Sequence, residues 1–178
     1  MGQLISAVSQ LRHRLRFGQD PFVWVFAVGL GQCPHCEFEF VDRCDLVARE
    51  ISAGTRVVHA TPAVAVLAAY AARTPFELWV VPVAHQARFE EAPLTTLEPL
   101  AAVLHTVLAR IDVALERPAY NVVLHSAPFH DPVDAAYHWH LEITPRVLRP
   151  TGFEAGSGTA INPVAPEEAA KVLRTGIS

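Results

Sequence analysis

One apolar stripe in the middle of the sequence constrains the fold more than any other feature. Apolar residues recur at steps of three and four from Leu94 to Leu115. This period predicts one helix about six turns long, and Pro118 ends it because proline lacks an amide hydrogen. A helix of this kind must bury its stripe against a second layer, which the rest of the chain has to supply.

Strand-like apolar runs lie on both sides of this helix. We predict strands over 22–28, 56–59, 63–70, 76–83, 120–125 and 137–144, and short helices over 2–17, 42–51 and 166–174. Strands and helices do not alternate regularly, so a doubly wound sheet is not expected. The sequence predicts an α+β fold in which a mostly antiparallel sheet packs on one long helix, with short flanking helices.

Length, charge and cysteine content limit the function classes. The 178 residues are enough for one domain with a sizeable core. A net charge of −4 provides no basic field for nucleic acid, and no apolar run reaches the roughly 18 residues of a membrane span. The N-terminal stretch is apolar first and basic afterwards, the reverse of a secretory signal. We therefore expect a cytoplasmic protein with neither a nucleic-acid nor a membrane partner.

The first chemical motif is Cys33-Pro34-His35-Cys36. Two thiolates on one tight turn can reach the same tetrahedral zinc ion. A redox pair, or two cysteines without a role, are the alternatives, although no thioredoxin-like βαβ pattern accompanies the motif. The third cysteine, Cys44, lies on a predicted helix and is expected to be an ordinary semi-buried residue.

The second motif is His138-Trp139-His140-Leu141-Glu142. Alternate side chains of a strand share a face, so we expect His138, His140 and Glu142 to point one way and the other two to pack. Two imidazoles and a carboxylate on one sheet face are costly to bury unless they bind something. Metal ligation, nucleophilic catalysis and a solvated polar face all remain open.

Further polar residues accompany the other predicted strands. His85 follows the strand 76–83, where it could close a metal site or be an ordinary surface histidine. Asn121 and His125 share one face of the strand 120–125, and His130 lies in the loop beyond it. Ligand contact is one interpretation of this pair, and loop capping by Asn121 and Ser126 is another.

These motifs occur in a recognisable order. A Cys-x-x-Cys is followed by Phe-Glu-Leu-Trp-Val-Val-Pro with its histidine, by Tyr-Asn-Val-Val-Leu-His-Ser-Ala-Pro-Phe, by His-Trp-His-Leu-Glu-Ile-Thr-Pro-Arg and by Gly-Phe-Glu-Ala-Gly-Ser-Gly. From about Gln32 to Arg174, the chain resembles the second histidine-triad repeat of the galactose-1-phosphate uridylyltransferase family.

The resemblance implies an activity and a cofactor. Enzymes of this family move a nucleoside monophosphate between a nucleotide sugar and a hexose 1-phosphate through a covalent nucleotidyl-histidine, and they usually form dimers. By resemblance, a structural zinc would be held by Cys33, Cys36, His85 and His138. His125 and His140 are rival ligands, because some members hold a metal with the equivalents of His125, His138 and His140.

One departure from the family affects the expected catalysis. The family nucleophile belongs to the first repeat, in a His-Pro-His motif followed by Gln, and this chain has no His-Pro-His. His140 occupies the equivalent position, with Trp139 in place of proline and Glu142 in place of glutamine. A carboxylate repels the phosphate that a glutamine amide would hold. His140 is thus a doubtful nucleophile, and Asn121, His125 and Glu142 are the expected substrate contacts.

The resemblance therefore predicts a division of the chain and of the enzyme. Residues 1–31 would be the remnant of a first repeat and residues 32–178 the histidine-triad-like domain. The chain would be the C-terminal half of a uridylyltransferase, inactive without a first repeat, which would be encoded separately. The alternatives are a self-sufficient histidine-triad hydrolase or transferase that uses His140, and a non-catalytic zinc-stabilised nucleotide-binding module.

The zinc assignment is testable by substitution of one thiolate. Cys33→Ser should lower both the zinc content, measured by elemental mass spectrometry, and the melting temperature, because a structural zinc contributes directly to folding. Cys44→Ser is the control and should keep the metal. An unchanged melt of the Cys33→Ser protein would rule the assignment out.

Overall fold

A six-stranded, mostly antiparallel sheet is the framework of the protein. The computed structural model describes residues 24–28, 43–127 and 137–175. The strands are β1 (Trp24–Val28), β2 (Val57–Ala60), β3 (Val64–Ala68), β4 (Leu78–Pro82), β5 (Tyr120–His125) and β6 (His140–Pro145). The helices are α1 (Arg43–Ala53), α2 (Leu94–Ala114), α3 (Gly152–Ser157) and α4 (Pro166–Thr175), with a 3₁₀ turn at Phe89–Glu91. The α+β prediction is confirmed.

The strand order is β1-β5-β6-β4-β3-β2. All neighbours pair antiparallel except β1, which runs parallel to β5. Because β4 and β5 both run antiparallel to β6, they are parallel to each other, and a parallel pair needs a long crossover connection. The α2 helix provides this crossover, and β6 lies between the two strands that it joins.

The main core lies between the sheet and the apolar face of α2. Alternate residues of β3, β4, β5 and β6 point to this side, where they meet buried residues of the helix. The buried helix residues in this core are Leu97, Leu100, Val103, Leu104, Val107, Leu108 and Ile111. Helix α4 adds Ala170 and Leu173 to the same cluster. The predicted apolar stripe is thus the face that α2 buries.

A second, smaller apolar cluster lies on the opposite face of the sheet. Val47 of α1 packs there against Ala65 and Leu67 of β3 and Val81 of β4. The helix α1 therefore packs on the β3–β4 part of this face. The β5–β6 part of the same face carries polar side chains instead, which form the candidate site.

The predicted boundaries differ from the structure in two places that matter. The strand expected over 137–144 begins only at His140, so His138 precedes the strand and does not share its alternation. The glycine-rich segment at 152–158 includes a short helix, α3, which a capping box of Thr151 and Glu154 begins and Gly158, at φ = 70°, ends. The helix predicted over 2–17 lies outside the described residues.

Arg56 joins three separate elements. Its guanidinium donates to the carboxylate of Glu50 on α1, with Nε 2.8 Å from Oε2, and to Glu167 on α4, with Nη1 2.6 Å from Oε1. The guanidinium carbon also lies 5.0 Å from the ring centroid of Tyr70. The side chains of Arg56 and Glu50 are only 17% and 11% exposed, so each carboxylate–guanidinium contact is partly shielded from water.

Arg56→Ala should lower the stability of the fold substantially. It leaves the largely buried Glu50 without its cation, and breaking a buried pair in this way costs about 3 kcal/mol. The control is Arg49→Ala, because Arg49 forms a 3.9 Å ion pair with Asp45 in which both side chains are well exposed. That substitution should cost about 0.5 kcal/mol or less. Chemical denaturation of both variants measures the difference, and equal losses would contradict this role of Arg56.

Candidate functional site

The pairing of β5 with β6 places His125 directly opposite His140. Val122 and Leu124 of β5 and the neighbouring residues Leu141 and Ile143 of β6 point into the main core. The alternating residues therefore point to the other face of the sheet. These residues are Asn121, Val123 and His125 on β5, and His140, Glu142 and Thr144 on β6.

The two imidazoles stack on each other at one end of the β5–β6 ladder. Their centroids are 4.6 Å apart and their planes differ by 8°. His125 Nε2 lies 3.2 Å from Glu142 Oε2, and Thr144 Oγ1 donates to Glu142 Oε1 at 3.2 Å. Because a carboxylate accepts hydrogen bonds, this contact places a proton on His125 Nε2. All three of His125, His140 and Glu142 are buried, so the His125–Glu142 contact is shielded from solvent.

The second imidazole has a defined tautomer. His140 Nδ1 lies 3.1 Å from the carbonyl oxygen of His138. A carbonyl only accepts, so Nδ1 carries the proton and Nε2 holds the lone pair in the neutral ring. This is the tautomer that an imidazole needs in order to attack phosphorus through Nε2. The ring of Trp79 lies beside His140, with centroids 5.4 Å apart.

His138 belongs to a different cluster from the one that its spacing predicts. Its Nε2 lies 2.8 Å from the carbonyl oxygen of Pro82, and its ring meets the ring of His85 edge-on, with centroids 5.7 Å apart. The expectation that His138, His140 and Glu142 form one row on a strand is therefore wrong, because the strand begins at His140.

Half of the predicted zinc set can be located. His85 and His138 lie together just beyond the end of β4, with His138 buried and His85 exposed. Cys33 and Cys36 lie outside the described residues, as does His130. Within the ranges that the structure describes, no three histidine, cysteine or acidic residues gather closely enough to hold a metal ion.

Asn121 lies on the same sheet face as His125 but far from it along the strand. It pairs with Thr144 near the opposite end of the strands and is half-buried. Four residues of extended chain separate it from His125, which corresponds to about 13 Å. A ligand would have to lie along the strands in order to contact both residues.

The loops next to the histidines are held by side-chain hydrogen bonds. Ser126 Oγ accepts from the backbone N–H of Phe89 at 3.1 Å and donates to Glu90 Oε2 at 2.7 Å. Gln86 accepts from the indole of Trp139 at 3.1 Å and donates to Thr96 at 2.9 Å. The loop-capping interpretation of Ser126 is thus confirmed, and Gln86 ties the loop after β4 to α2 and to the core residue Trp139.

Trp79 of β4 and Glu77, which comes just before that strand, complete the site. Neither residue is assigned a role by the sequence alone. Trp79 pairs with Glu142 across the β4–β6 ladder, and Glu77, two residues earlier, is buried. Burial, and then the negative charge of Glu142, raise the pKa of Glu77 above its ordinary value. Backbone N–H groups of Arg73 and Thr74 donate to Glu77 and partly oppose this rise. The sequence did contain a signal for them, because Glu77, Trp79 and Val81 alternate along the predicted strand and therefore share one face.

Comparison with known protein sequences gives relatives whose names refer to enzymes of sugar phosphates or nucleotide sugars. No protein-family model matches the chain. It is 37% identical over 110 residues to an ADP-glucose phosphorylase of Arabidopsis thaliana, covering 61% of this chain and 31% of that protein. It is 29% identical over 151 residues to a galactose-1-phosphate uridylyltransferase of Thermotoga maritima, covering 80% of this chain and 44% of that protein. The chain spans less than half the length of these relatives.

Solved structures agree with the sequence relatives. An ADP-glucose phosphorylase from Arabidopsis thaliana with bound ADP-glucose superposes with a TM-score of 0.67 at 34% identity, covering 74% of this chain and 43% of that one. The resemblance to the galactose-1-phosphate uridylyltransferase family is confirmed. A zinc-bound histidine triad family protein from Mycobacterium smegmatis has a TM-score of 0.53 at 18% identity, with 75% of this chain and 90% of that one covered, and shares the fold.

The structure also bears on membrane association. Within the described ranges, no helix combines the length and the apolar character needed to cross a bilayer.

The raised pKa of Glu77 gives a pH-dependent prediction. A carboxyl with a raised folded-state pKa stabilises the fold fully below its unfolded value near 4.5, and this contribution is lost as pH rises through the folded-state pKa. Glu77→Gln keeps an oxygen acceptor for the Arg73 amide and removes the charge. Its melting temperature should therefore exceed that of the wild type at pH 8, and the gain should disappear near pH 4.

The exposed Glu168 is a suitable control, since it forms only a 3.8 Å surface contact with Lys171. Melting curves of Glu168→Gln should follow the wild type across the same pH range. A Glu77→Gln protein that melts below the wild type at pH 8 would contradict the assignment of a buried, destabilising charge.

Proposed function

We propose that this chain is the C-terminal, nucleotide-sugar-binding part of a hexose-1-phosphate nucleotidyltransferase. The observation that carries the proposal is the stacked His125–His140 pair, held by Glu142 on the β5–β6 face. The relatives named as an ADP-glucose phosphorylase and a galactose-1-phosphate uridylyltransferase support nucleotidyl transfer on sugar phosphates. The transferred group is then UMP, from UDP-glucose to a hexose 1-phosphate, or AMP by analogy with the phosphorylase.

The transfer reaction proceeds in two displacements. An imidazole attacks the α-phosphorus of the nucleotide sugar, the hexose 1-phosphate leaves, and a nucleotidyl-histidine forms. A second sugar phosphate then attacks this phosphorus through its phosphate oxygen and releases the imidazole. The site must supply a neutral imidazole with a protonated Nδ1 and donors for the phosphate oxygens.

The site of this chain meets the first requirement and not the second. His140 has the required tautomer. Glu142 accepts hydrogen bonds from His125 and Thr144, so it presents negative charge where a glutamine would offer an N–H to the phosphate. We therefore assign the nucleophile to a first repeat on another chain or chain segment, and binding of the nucleotide sugar to Asn121, His125 and Glu142.

A structural zinc on Cys33, Cys36, His85 and His138 is part of the same proposal. The donor set fits, since two thiolates and two imidazoles are a common ligand set for tetrahedral structural zinc. The contact of His138 Nε2 with the Pro82 carbonyl is the kind of backbone hydrogen bond that orients a metal-binding histidine, and Nδ1 would then be the nitrogen that binds the zinc. Four protein ligands leave no position for water, so this zinc would support folding.

The proposed assembly follows from the lack of a His-Pro-His motif among the 178 residues. A separately encoded N-terminal half would supply the missing nucleophile, and a dimer would be the working form. Residues 1–31 would be the remnant of a first repeat. Nucleotide sugar and hexose 1-phosphate are the proposed small-molecule partners.

A second candidate is a self-sufficient histidine-triad hydrolase or transferase that uses His140. The specific observation in its favour is the hydrogen bond between His140 Nδ1 and the His138 carbonyl. A non-catalytic zinc-stabilised nucleotide-binding module is the third candidate, and it shares the binding residues with the first.

Intact-mass analysis distinguishes these candidates. The zinc-loaded, folded protein is incubated with UDP-glucose or ADP-glucose and weighed under denaturing conditions, and binding of each nucleotide sugar is measured by calorimetry. We expect binding without a covalent increment. An increment of one UMP or AMP that disappears in His140→Gly would replace the leading proposal with the self-sufficient enzyme. Absence of binding to both nucleotide sugars would refute the proposal.

A further inference from the structure

The indole N–H of Trp79 is a buried donor that has no hydrogen-bond partner within the described part of the chain. A buried donor without an acceptor is costly, because folding removes the water that would otherwise bind it. Buried polar groups in native proteins are nearly always satisfied, so an exception calls for a physical reason. A ligand that is absent from the structure is one such reason.

This unsatisfied donor lies in the candidate site. Trp79 faces Glu142 directly across the β4–β6 ladder, and its ring lies 5.4 Å from the ring of His140. Trp79 also packs against the apolar cluster of Leu67 and Val81. The indole therefore has one side against the second core and the other beside the stacked histidines.

Trp139, which is fully buried, shows the usual arrangement. Trp139 packs edge-on against Phe89, with centroids 5.0 Å apart, and its Nε1 donates to Gln86 Oε1 at 3.1 Å. The fold thus satisfies an indole N–H where the tryptophan serves only the core. The contrast indicates that Trp79 has a different task.

The surrounding charges decide which ligand group fits. Two buried carboxyl groups, Glu77 and Glu142, are near enough for the charge of Glu142 to raise the pKa of Glu77. A phosphate oxygen beside them would be repelled. A hydroxyl accepts from an N–H and at the same time donates to a carboxylate, so it satisfies both kinds of neighbour.

We propose that Trp79 Nε1–H donates a hydrogen bond to a hydroxyl of the nucleotide sugar, on either its ribose or its hexose. The same hydroxyl donates a hydrogen bond to Glu142. The inference rests on the proposed function and adds a residue that determines specificity for the sugar. The phosphate groups then lie away from the two carboxyl groups. A site of this kind discriminates strongly against a deoxy analogue, because the missing hydroxyl leaves buried polar groups unpaired.

The test compares the same substitution at the two tryptophans in the full chain. Trp79→Phe keeps an aromatic ring and removes the N–H, and Trp139→Phe is the control. Calorimetry with UDP-glucose, ADP-glucose, UMP and AMP gives Kd, and thermal melts report on folding. Trp79→Phe should raise Kd about fivefold to tenfold, the loss expected for one hydrogen bond. Trp139→Phe should lower the melting temperature further and leave Kd unchanged.

The four ligands identify the source of the hydroxyl. A weaker affinity of Trp79→Phe for UMP and AMP as well as for the nucleotide sugars assigns the hydroxyl to ribose. A loss confined to UDP-glucose and ADP-glucose assigns it to hexose. A folded Trp79→Phe protein with the wild-type Kd for every ligand would overturn the inference while leaving the proposed function intact. A wild type that binds none of the four would overturn both.

A second measurement uses only the wild-type protein, so it holds even if Trp79→Phe fails to fold. The nucleotides lacking the 2′- or 3′-hydroxyl of ribose, and nucleotide sugars lacking one hexose hydroxyl, are titrated in the same way. One of these analogues should bind about tenfold more weakly than its parent. Equal affinity for all of them would contradict a hydroxyl contact at this site.

Discussion

The antiparallel pairing of β5 with β6 is the interaction on which both the core and the site depend. One side of this pair carries Val122, Leu124, Leu141 and Ile143 into the main core. The other side brings His125 opposite His140 and stacks their rings. Because alternate side chains of a strand take opposite faces, a shift of one residue in this register would exchange the apolar and polar rows. The energy of the core therefore also fixes the geometry of the histidines.

The two faces of the sheet are covered in different ways, and this difference creates the site. The helix α2 lies along the main core with a continuous apolar face, and α1 covers only the β3–β4 part of the opposite face. The polar row of β5 and β6 lies beside α1, and Trp79 stands at the boundary between the two. Its indole thus touches an apolar cluster and a group of ionisable residues at once.

Burial of charge is the main constraint on what the site can do. Hydrogen bonds from His125 and Thr144 offset the cost of burying the carboxylate of Glu142. Glu77 is stabilised by two backbone amides, yet its pKa is still raised because it is buried close to Glu142. Such a face is better suited to hydroxyl groups than to phosphate. This electrostatic character supports a binding role for the β5–β6 face and a nucleophile supplied from elsewhere.

The sequence by itself determined the α+β class, the apolar face of α2 and the order of the family motifs, because these depend on local periodicity and on short-range spacing. Only the tertiary structure decided how the polar residues group. His138 leaves the row of His140 and joins His85, since the strand starts three residues later than its pattern predicts. The contacts of Glu142 with His125, and of Trp79 with His140, join residues far apart in the chain. Strand register and packing set these distances, and neither can be read from local spacing.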